Sequence, residues 1–445
     1  MSKQMMSSLS SAAPWWRPGT GRLLAIRGGT PLVGIYPISG AKNAALPLMV
    51  SALLTPHLVT LRNVPGNLDV AVLASLLQRL GCEMHWSSTE AGLAVTIAAD
   101  RIQPASIDRD LVSRMRASVL LLGALLARCG EAHLPMPGGD AIGLRGIDFH
   151  VVGLRAMGAT ISLDGGTIRA TAPHGLQGAD IVLPQPSVGA TENLLLAAVL
   201  ASCRTTIRNA AREPEITDLA ACLTAMGARI AGIGSHVLAI DGGHALTGAV
   251  HTVLPDRIEF GTLACAAAAT DGELVLPNGR IDLLGAAAPL FDAAGVSMRE
   301  AAGGVVARRA AGGLRGIDVT TGPYPEFATD LQAPTMALLT LATGASAITE
   351  TVFEQRFRHV DELRKMGADI SVRGRTALVR GVPRLSGAAA ACTDVRAAAA
   401  LVIAGLNASG ETTLDGLDHL DRGYDRMAEK LVAVGADIVR SDGNG

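Results

Sequence analysis

The sequence predicts an α/β protein of two domains, each assembled from three similar units. Three observations carry that prediction: a repeat closed by glycine, short strands that return after each repeat, and a core that must be aliphatic. The repeat is a leucine, a short spacer, a glycine and an alternating tail, and it occurs six times, once with phenylalanine for leucine. It reads Leu77-Gln78-Arg79-Leu80-Gly81-Cys82-Glu83-Met84, Leu154-Arg155-Ala156-Met157-Gly158-Ala159-Thr160-Ile161 and Leu223-Thr224-Ala225-Met226-Gly227-Ala228-Arg229-Ile230. It returns as Phe291-Asp292-Ala293-Ala294-Gly295-Val296-Ser297-Met298, Leu363-Arg364-Lys365-Met366-Gly367-Ala368-Asp369-Ile370 and Leu431-Val432-Ala433-Val434-Gly435-Ala436-Asp437-Ile438. Successive glycines lie 77, 69, 68, 72 and 68 positions apart. Each follows a helical pattern, as in Asp69–Leu80 and Tyr424–Val434, and precedes a strand pattern, the place of a left-handed residue that closes a helix. Units of about seventy residues are longer than most solenoid repeats and hold several strands and two helices each. Thr205–Arg208, Glu273–Val275, Ala347–Thr349 and Thr412–Leu414 read as the strand that returns in a unit.

The bulk properties narrow the class. The chain of 445 residues is 49% apolar but only 3% aromatic, so Leu, Val, Ile and Ala must fill its core, and long disorder is excluded. A net charge of -2 gives no footprint for nucleic acid or for a polybasic membrane surface. The six cysteines carry no CxxC pair and mostly sit among Ala and Leu, which reads as buried free thiols in a reducing cytoplasm. The first twenty residues have no continuous apolar core, so no signal peptide is expected. The longest apolar runs, Val119–Ala127 and Ala397–Leu406, are too short to cross a bilayer. Residues 1–21 read as a basic, flexible extension and Ser441–Gly445 as a frayed tail.

Several stretches carry chemistry rather than packing. Pro137-Gly138-Gly139-Asp140-Ala141-Ile142-Gly143-Leu144-Arg145-Gly146-Ile147-Asp148-Phe149-His150 sets four glycines, two carboxylates, an arginine and a histidine close together. Glycines this dense let backbone bend and approach a ligand, although a purely structural turn has the same composition. Ser39-Gly40-Ala41-Lys42-Asn43 stands between a strand pattern, Val33–Ile38, and an apolar helix. Its lysine is either a solvated helix-start residue or a point charge for a phosphate or carboxylate.

With Ser187-Val188-Gly189-Ala190-Thr191, Ala211-Arg212-Glu213-Pro214-Glu215 and Leu254-Pro255-Asp256-Arg257-Ile258-Glu259, these stretches resemble one family. Thr329-Asp330-Leu331-Gln332, Thr349-Glu350-Thr351-Val352-Phe353-Glu354-Gln355-Arg356-Phe357 and Asp421-Arg422-Gly423-Tyr424 complete the series. The chain resembles the enolpyruvyl transferases from about Leu23 to Val439, and within them the branch whose acceptor is UDP-N-acetylglucosamine. The resemblance implies a two-domain inside-out α/β barrel, each domain a pseudo-threefold set of units, with substrates in the cleft between. It places one discontinuous domain at 22–41 plus 256–445 and the other at 42–255, the latter carrying a mobile loop at 136–146.

The implied reaction moves the enolpyruvyl group of phosphoenolpyruvate to the 3'-hydroxyl of UDP-N-acetylglucosamine and releases phosphate, the first committed step of peptidoglycan precursor synthesis. No metal or other cofactor is implied, and the oligomeric state is left open. Addition requires a proton at the methylene carbon and an acceptor for the hydroxyl proton, and the anionic groups require fixed positive charge. By resemblance, Lys42, Arg145 and Arg422 hold phosphoenolpyruvate, with Arg356 and Arg396 as further cleft arginines. Asp330 receives or orients the hydroxyl proton, and Asp140 is the loop acid. Arg116, the segment Arg145, Gly146, Ile147, Asp148 and Phe149, and the segment Gln185, Pro186, Ser187 and Val188 contact the uridine nucleotide, with Asp148 on the uracil. Asn43 and Val352 match sugar contacts, while Asp394 and Glu354 are expected to hold the arginines. His150 is either a supporting group of the loop or a structural histidine.

Three positions depart from the pattern of the family. Asp140 stands where most members have a cysteine, a minority variant that implies resistance to fosfomycin, the epoxide that alkylates that cysteine. To protonate carbon, its ordinary pKa of about 3.9 must rise as the cleft closes. Gly146 replaces a common proline and Gln185 a common lysine, so UMP is an alternative acceptor, as in nucleoside-antibiotic pathways. A non-catalytic paralogue that binds a nucleotide sugar is the reading from another class; it has no need of Lys42, Asp330, Arg356 and Arg422.

Overall fold

All six repeat glycines have positive φ, between 89° and 105°, directly after a helix. In five of them two hydrogen bonds close the helix, as where Gly81 N–H donates to the Gln78 carbonyl at 2.9 Å and Cys82 N–H to that of Leu77 at 3.0 Å. That closure needs a left-handed residue, which glycine supplies without a Cβ clash. The repeat's large apolar residue has one job throughout: Leu77, Leu154, Leu223, Phe291, Leu363 and Leu431 are all fully buried. Phenylalanine therefore substitutes for leucine in the same core position.

The structure, a computed structural model, describes residues 9, 11–16, 21–89, 92–104 and 107–442. The chain forms two units. One contains the described residues up to 16, Gly40–Asp140 and Arg145–Leu254; the other contains residues 21–39, Ala141–Leu144, and the described chain from Pro255. The breaks thus fall at 39/40 and 254/255, against expected boundaries at 41/42 and 255/256. The tip of the glycine-rich loop is counted with the second unit rather than with the one that holds its flanks.

Among the described residues each unit has three sheets, and in five of the six a parallel edge strand is followed by three antiparallel ones. In the first unit one sheet runs Ala249–Thr252, Val59–Val64, Gly92–Ala98, Glu83–Thr89, and another runs Asp180–Val182, Arg204–Arg208, Val237–Asp241, Arg229–Ala231. The third, Glu131–Pro135, Thr167–Thr171, Thr160–Asp164, has no parallel strand among the described residues. In the second unit the same plan gives Val33–Ile35 beside Glu273–Leu276, Val319–Thr320 beside Ala345–Thr349, and Ala389–Ala391 beside Glu411–Asp415. The four expected return strands are the second strands of their sheets, each extended by one or two residues.

Three helices fill the middle of each unit. They are Lys42–Ser51, Leu120–Cys129 and Val188–Ala198 in the first, and Arg257–Ala269, Gln332–Leu339 and Val395–Asn407 in the second. All thirteen residues of Arg257–Ala269 and all eight of Gln332–Leu339 are buried. A helix buried all round must be apolar all round, which the Ala- and Leu-rich composition supplies. The sheets lie outside these helices, the inside-out arrangement expected. No helix of the described residues is long and apolar enough to cross a membrane.

Three expectations need correction. The extension 1–21 is not loose where it is described: Leu9, Ala12, Ala13 and Trp16 are buried in the core of the first unit. Trp86 Nε1 donates to the Ala12 carbonyl at 2.8 Å, and the rings of Trp15 and Trp86 meet edge to face at 5.1 Å. Residues 1–8, 10 and 17–20 lie outside the described residues, as do 443–445 of the tail. Ser441 is not frayed but pairs with Leu23 in the strand Asp437–Ser441. Cys203 is exposed, whereas Cys82, Cys222, Cys265 and Cys392 are buried as expected.

Candidate active site

The chemical motifs sit at the starts of the buried helices. Lys42 opens Lys42–Ser51, and Ser187 caps Val188–Ala198 by accepting the Ala190 N–H. Asp256 caps Arg257–Ala269 and Asp394 caps Val395–Asn407, each through two backbone N–H groups. The turn Thr329–Leu331 leads into Gln332–Leu339. Helix N-termini carry unsatisfied N–H groups and a partial positive charge, so each of these starts favours anionic groups.

In the second unit the central group is Asp330. Arg356 Nη2 donates to its Oδ1 at 2.7 Å and Arg396 Nη2 to its Oδ2 at 2.8 Å. The arginine side chains are only 5% and 3% exposed, the carboxylate 24%, so both cations are fixed from below and the carboxylate keeps an open side. Phe353 lies against the Arg356 guanidinium at 5.5 Å and Tyr424 against that of Arg396 at 5.4 Å. Burial pulls the Arg396 pKa down, but Asp330 overrides it and leaves the group well above its ordinary value.

Beside this group the Glu350 carboxylate, 1% exposed, accepts from Thr321 Oγ1, Thr329 Oγ1 and the N–H groups of Val352 and Phe353. It thereby shapes the turn that carries Val352. Arg422 lies half-buried in the helix Asp418–Gly423, whose Asp421 is held by Arg440 at 3.0 and 2.6 Å.

In the first unit Lys42 Nζ donates to Asp69 Oδ2 at 3.2 Å in a buried pair, with Asn43 half-buried next to it. Arg116 donates to the Gly146 carbonyl. Its guanidinium is lowered to about 10, first by burial and then by the like charge of Arg145, with Asp148 opposing. Asp148 opens the helix Asp148–Ala156, and its Oδ1 occupies the space a side chain at Gly146 would take, 2.4 Å from an added Cβ. Ile147 is buried and Phe149 half-buried; Gln185 is exposed, while Pro186, Ser187 and Val188 are half-buried. His150 is a core group: Asn193 Nδ2 donates to its Nδ1 at 2.9 Å, and burial followed by Arg116 lowers its pKa to about 3. It is neutral, with the remaining proton on Nε2.

The glycine-rich loop is shaped by two close approaches. A Cβ on Gly138 would lie 1.6 Å from the Ser113 carbonyl oxygen, and one on Gly143, at φ 140°, would lie 2.2 Å from Glu354 Oε2. Leu144 N–H donates to that same oxygen at 3.2 Å, Gln355 N–H to the Ile142 carbonyl at 3.0 Å, and Arg358 to the Ala141 carbonyl at 3.3 Å. Asp140 itself is half-buried.

Two supporting roles differ from expectation. Asp394 Oδ1 accepts the backbone N–H groups of Arg396 and Ala397, fixing the backbone of Arg396 rather than its guanidinium. Glu354 meets the loop at Leu144 and Arg375 at 3.9 Å, not Arg356. Sequence reasoning left out Asp69, Glu350, Phe353 and Tyr424 as individual contributors. The last three stand inside quoted motifs; nothing in the spacing marks Asp69 as the partner of Lys42.

Comparisons with known proteins agree over most of the chain. The family model described as EPSP synthase (3-phosphoshikimate 1-carboxyvinyltransferase) matches residues 26–431. A UDP-N-acetylglucosamine 1-carboxyvinyltransferase of Rhodospirillum centenum is 53% identical over 424 residues, covering 94% of this chain and 98% of the relative. One of Acidiphilium cryptum is 54% identical over 417 residues, 94% and 99% of the two chains. Among solved structures, the enolpyruvyl transferase NikO of Streptomyces tendae superposes with a TM-score of 0.85 at 28% identity, covering 94% of this chain and 98% of that one. EPSP synthase of Acinetobacter baumannii, at TM-score 0.68 and 19% identity over 94% and 99%, shares the fold.

Proposed function

Since the chain belongs to the enolpyruvyl transferase family, we propose that it transfers the enolpyruvyl group of phosphoenolpyruvate to the 3'-hydroxyl of UDP-N-acetylglucosamine, releasing phosphate. This is the first committed step of peptidoglycan precursor synthesis. The observation that carries the reading is the Asp330 carboxylate, held by two buried guanidiniums with one side open. A protein that only bound nucleotide sugar would have no use for a carboxylate so held.

In the addition step the 3'-oxygen bonds to C2 of phosphoenolpyruvate while its methylene carbon takes a proton. Asp330 accepts or orients the hydroxyl proton, and Asp140 delivers the proton to carbon. In the elimination step the C2–phosphate bond breaks and the new methyl group returns a proton, so phosphate leaves and the vinyl ether remains. Lys42, Arg145 and Arg422 bind the phosphate and carboxylate, and Arg356 and Arg396 hold Asp330 and add positive charge. Arg116, Gly146 to Phe149, and Gln185 to Val188 receive the uridine diphosphate, with Asn43 and Val352 on the sugar. The loop at 136–146 acts as a lid, its glycines permitting the movement and Asp140 entering with it.

Incubation with phosphoenolpyruvate and either UDP-N-acetylglucosamine or UMP, followed by phosphate release, tests the reading. The sugar nucleotide is expected to turn over faster. Faster release with UMP overturns the acceptor, and none with either overturns the reaction.

A further inference from the structure

We propose that Glu350 and Thr329 act together as positioning residues for the reaction, holding the Asp330–Arg356 pair and Val352 in register. The inference rests on the enolpyruvyl-transfer reading above. Glu350 accepts four hydrogen bonds while almost wholly buried, and all four donors are neutral. A charge partner therefore does not explain its place; the geometry of what it holds does.

Its two oxygens serve different elements. Oε2 accepts from Thr329 Oγ1 at 2.8 Å, and Thr329 directly precedes Asp330. The turn Thr329–Leu331 is a single 3-10 turn whose N-cap position offers no side-chain cap, so it has little stiffness of its own. Oε1 accepts from Val352 N–H at 2.8 Å and Phe353 N–H at 3.1 Å. Phe353 in turn supports the Arg356 guanidinium with its ring. The two members of the Asp330–Arg356 ion pair, twenty-six positions apart in sequence, thus hang from the two oxygens of one carboxylate. Thr321 completes the set: its Oγ1 donates to Oε1 at 2.8 Å and accepts the Thr351 N–H at 2.9 Å, so it steadies the side of Val352 and Phe353 and not the Asp330 turn.

This division makes the two threonines separable. Thr329→Val keeps the shape and removes the link to the Asp330 turn. It is expected to lower kcat ten- to a hundredfold, the range for a displacement of about 1 Å in a reacting group, with KM for both substrates within about twofold of wild type. Thr329→Ser retains the hydroxyl and is expected to restore kcat to within about threefold. Thr321→Val removes two hydrogen bonds, so it is expected to lower the melting temperature more, yet to act chiefly by raising KM for the nucleotide sugar. Melting curves on each variant establish that the protein assayed is folded. Thr329→Val with kcat within twofold of wild type overturns the proposal, as does a Thr329→Ser variant that recovers no more kcat than Thr329→Val. Failure of the wild type to release phosphate overturns the reaction assigned above and this inference with it; an active wild type with an unaffected Thr329→Val overturns this inference alone.

Discussion

Asp330→Asn is the most informative single change, because in this structure it perturbs stability as well as chemistry. The substitution is nearly isosteric, but it leaves Arg356 and Arg396, with side chains 5% and 3% exposed, facing a neutral amide. One guanidinium keeps an acceptor, while the other meets an NH₂ group that can only donate. Removing one partner of a buried pair costs about 3–5 kcal/mol. The carboxylate is 24% exposed and one acceptor survives, so the lower end, about 3 kcal/mol, is expected. For a body of roughly 200 residues, 1 kcal/mol moves Tm by about 2–4 °C, so Tm should fall by roughly 6–12 °C.

Turnover should fall further than stability, by about 10²–10⁴-fold, because an amide cannot take the hydroxyl proton. Differential scanning fluorimetry and phosphate release on the same samples separate the two effects. The double variant Asp330→Asn with Arg356→Gln removes one stranded charge and should recover part of the lost Tm without recovering activity. A single variant with Tm within 2 °C of wild type would refute the ion-pair account, and one with activity within tenfold would refute the catalytic role.

Asp140 leaves the loop without a sulfur nucleophile, and Cys82, Cys222, Cys265 and Cys392 are pushed up to about 12 by burial, so activity should survive fosfomycin with no covalent adduct by mass spectrometry. Asp140→Cys should restore time-dependent inactivation. His150 stays neutral in the folded state down to about 3 but takes a proton when unfolded below 6.5, so it withdraws stability as pH falls through that window. At pH 5 the loss is roughly 2 kcal/mol, and a His150→Gln variant should show a flatter Tm-versus-pH curve between pH 7 and 5 than wild type. Removal of residues 1–16 uncovers Trp86 and the core it closes, so Tm should drop by several degrees; an unchanged Tm would show that Leu9 and Trp16 contribute no net burial.

The repeat was legible because its residues answer to rigid local demands. A glycine is required at each left-handed closure, and a large apolar side chain is required in the core four positions earlier, so the same signature recurs in all six units. The helical stretch at Tyr424–Val434 was read too long for a comparable reason: the apolar period runs on, but Arg426 is left-handed and the helix starts at Met427. Long-range pairing was not legible. Lys42 meets Asp69 only because two helices pack, and Glu350 finds Thr321 and Thr329 only because a strand end and a turn converge. The N-terminal segment misled through its serine-rich composition, which hides the few apolar residues that dock.

The two departures at the proposed nucleotide site lie on a different kind of element from the proposed chemical groups. Lys42, Arg396 and the turn bearing Asp330 sit at the heads of helices buried over almost all their length, where neighbouring backbones approach closely. A Cβ on Gly261 would come within 2.7 Å of Leu331, and one on Gly123 within 2.4 Å of Asn193. A substitution there must repack three helices at once, because interiors are close-packed and transmit strain. Gly146 and Gln185 are exposed and lie outside those helices, one before the helix Asp148–Ala156 and the other in the segment that precedes Ser187. Either can change without disturbing Asp330, Arg356 or Arg396. The physical consequence is that Gly146→Pro and Gln185→Lys should alter KM for the nucleotide while leaving kcat and Tm close to wild type. A comparable loss of kcat in either would mean that the nucleotide segments and the reacting groups are mechanically coupled, and the exposed positions would then have no freedom to set the acceptor independently.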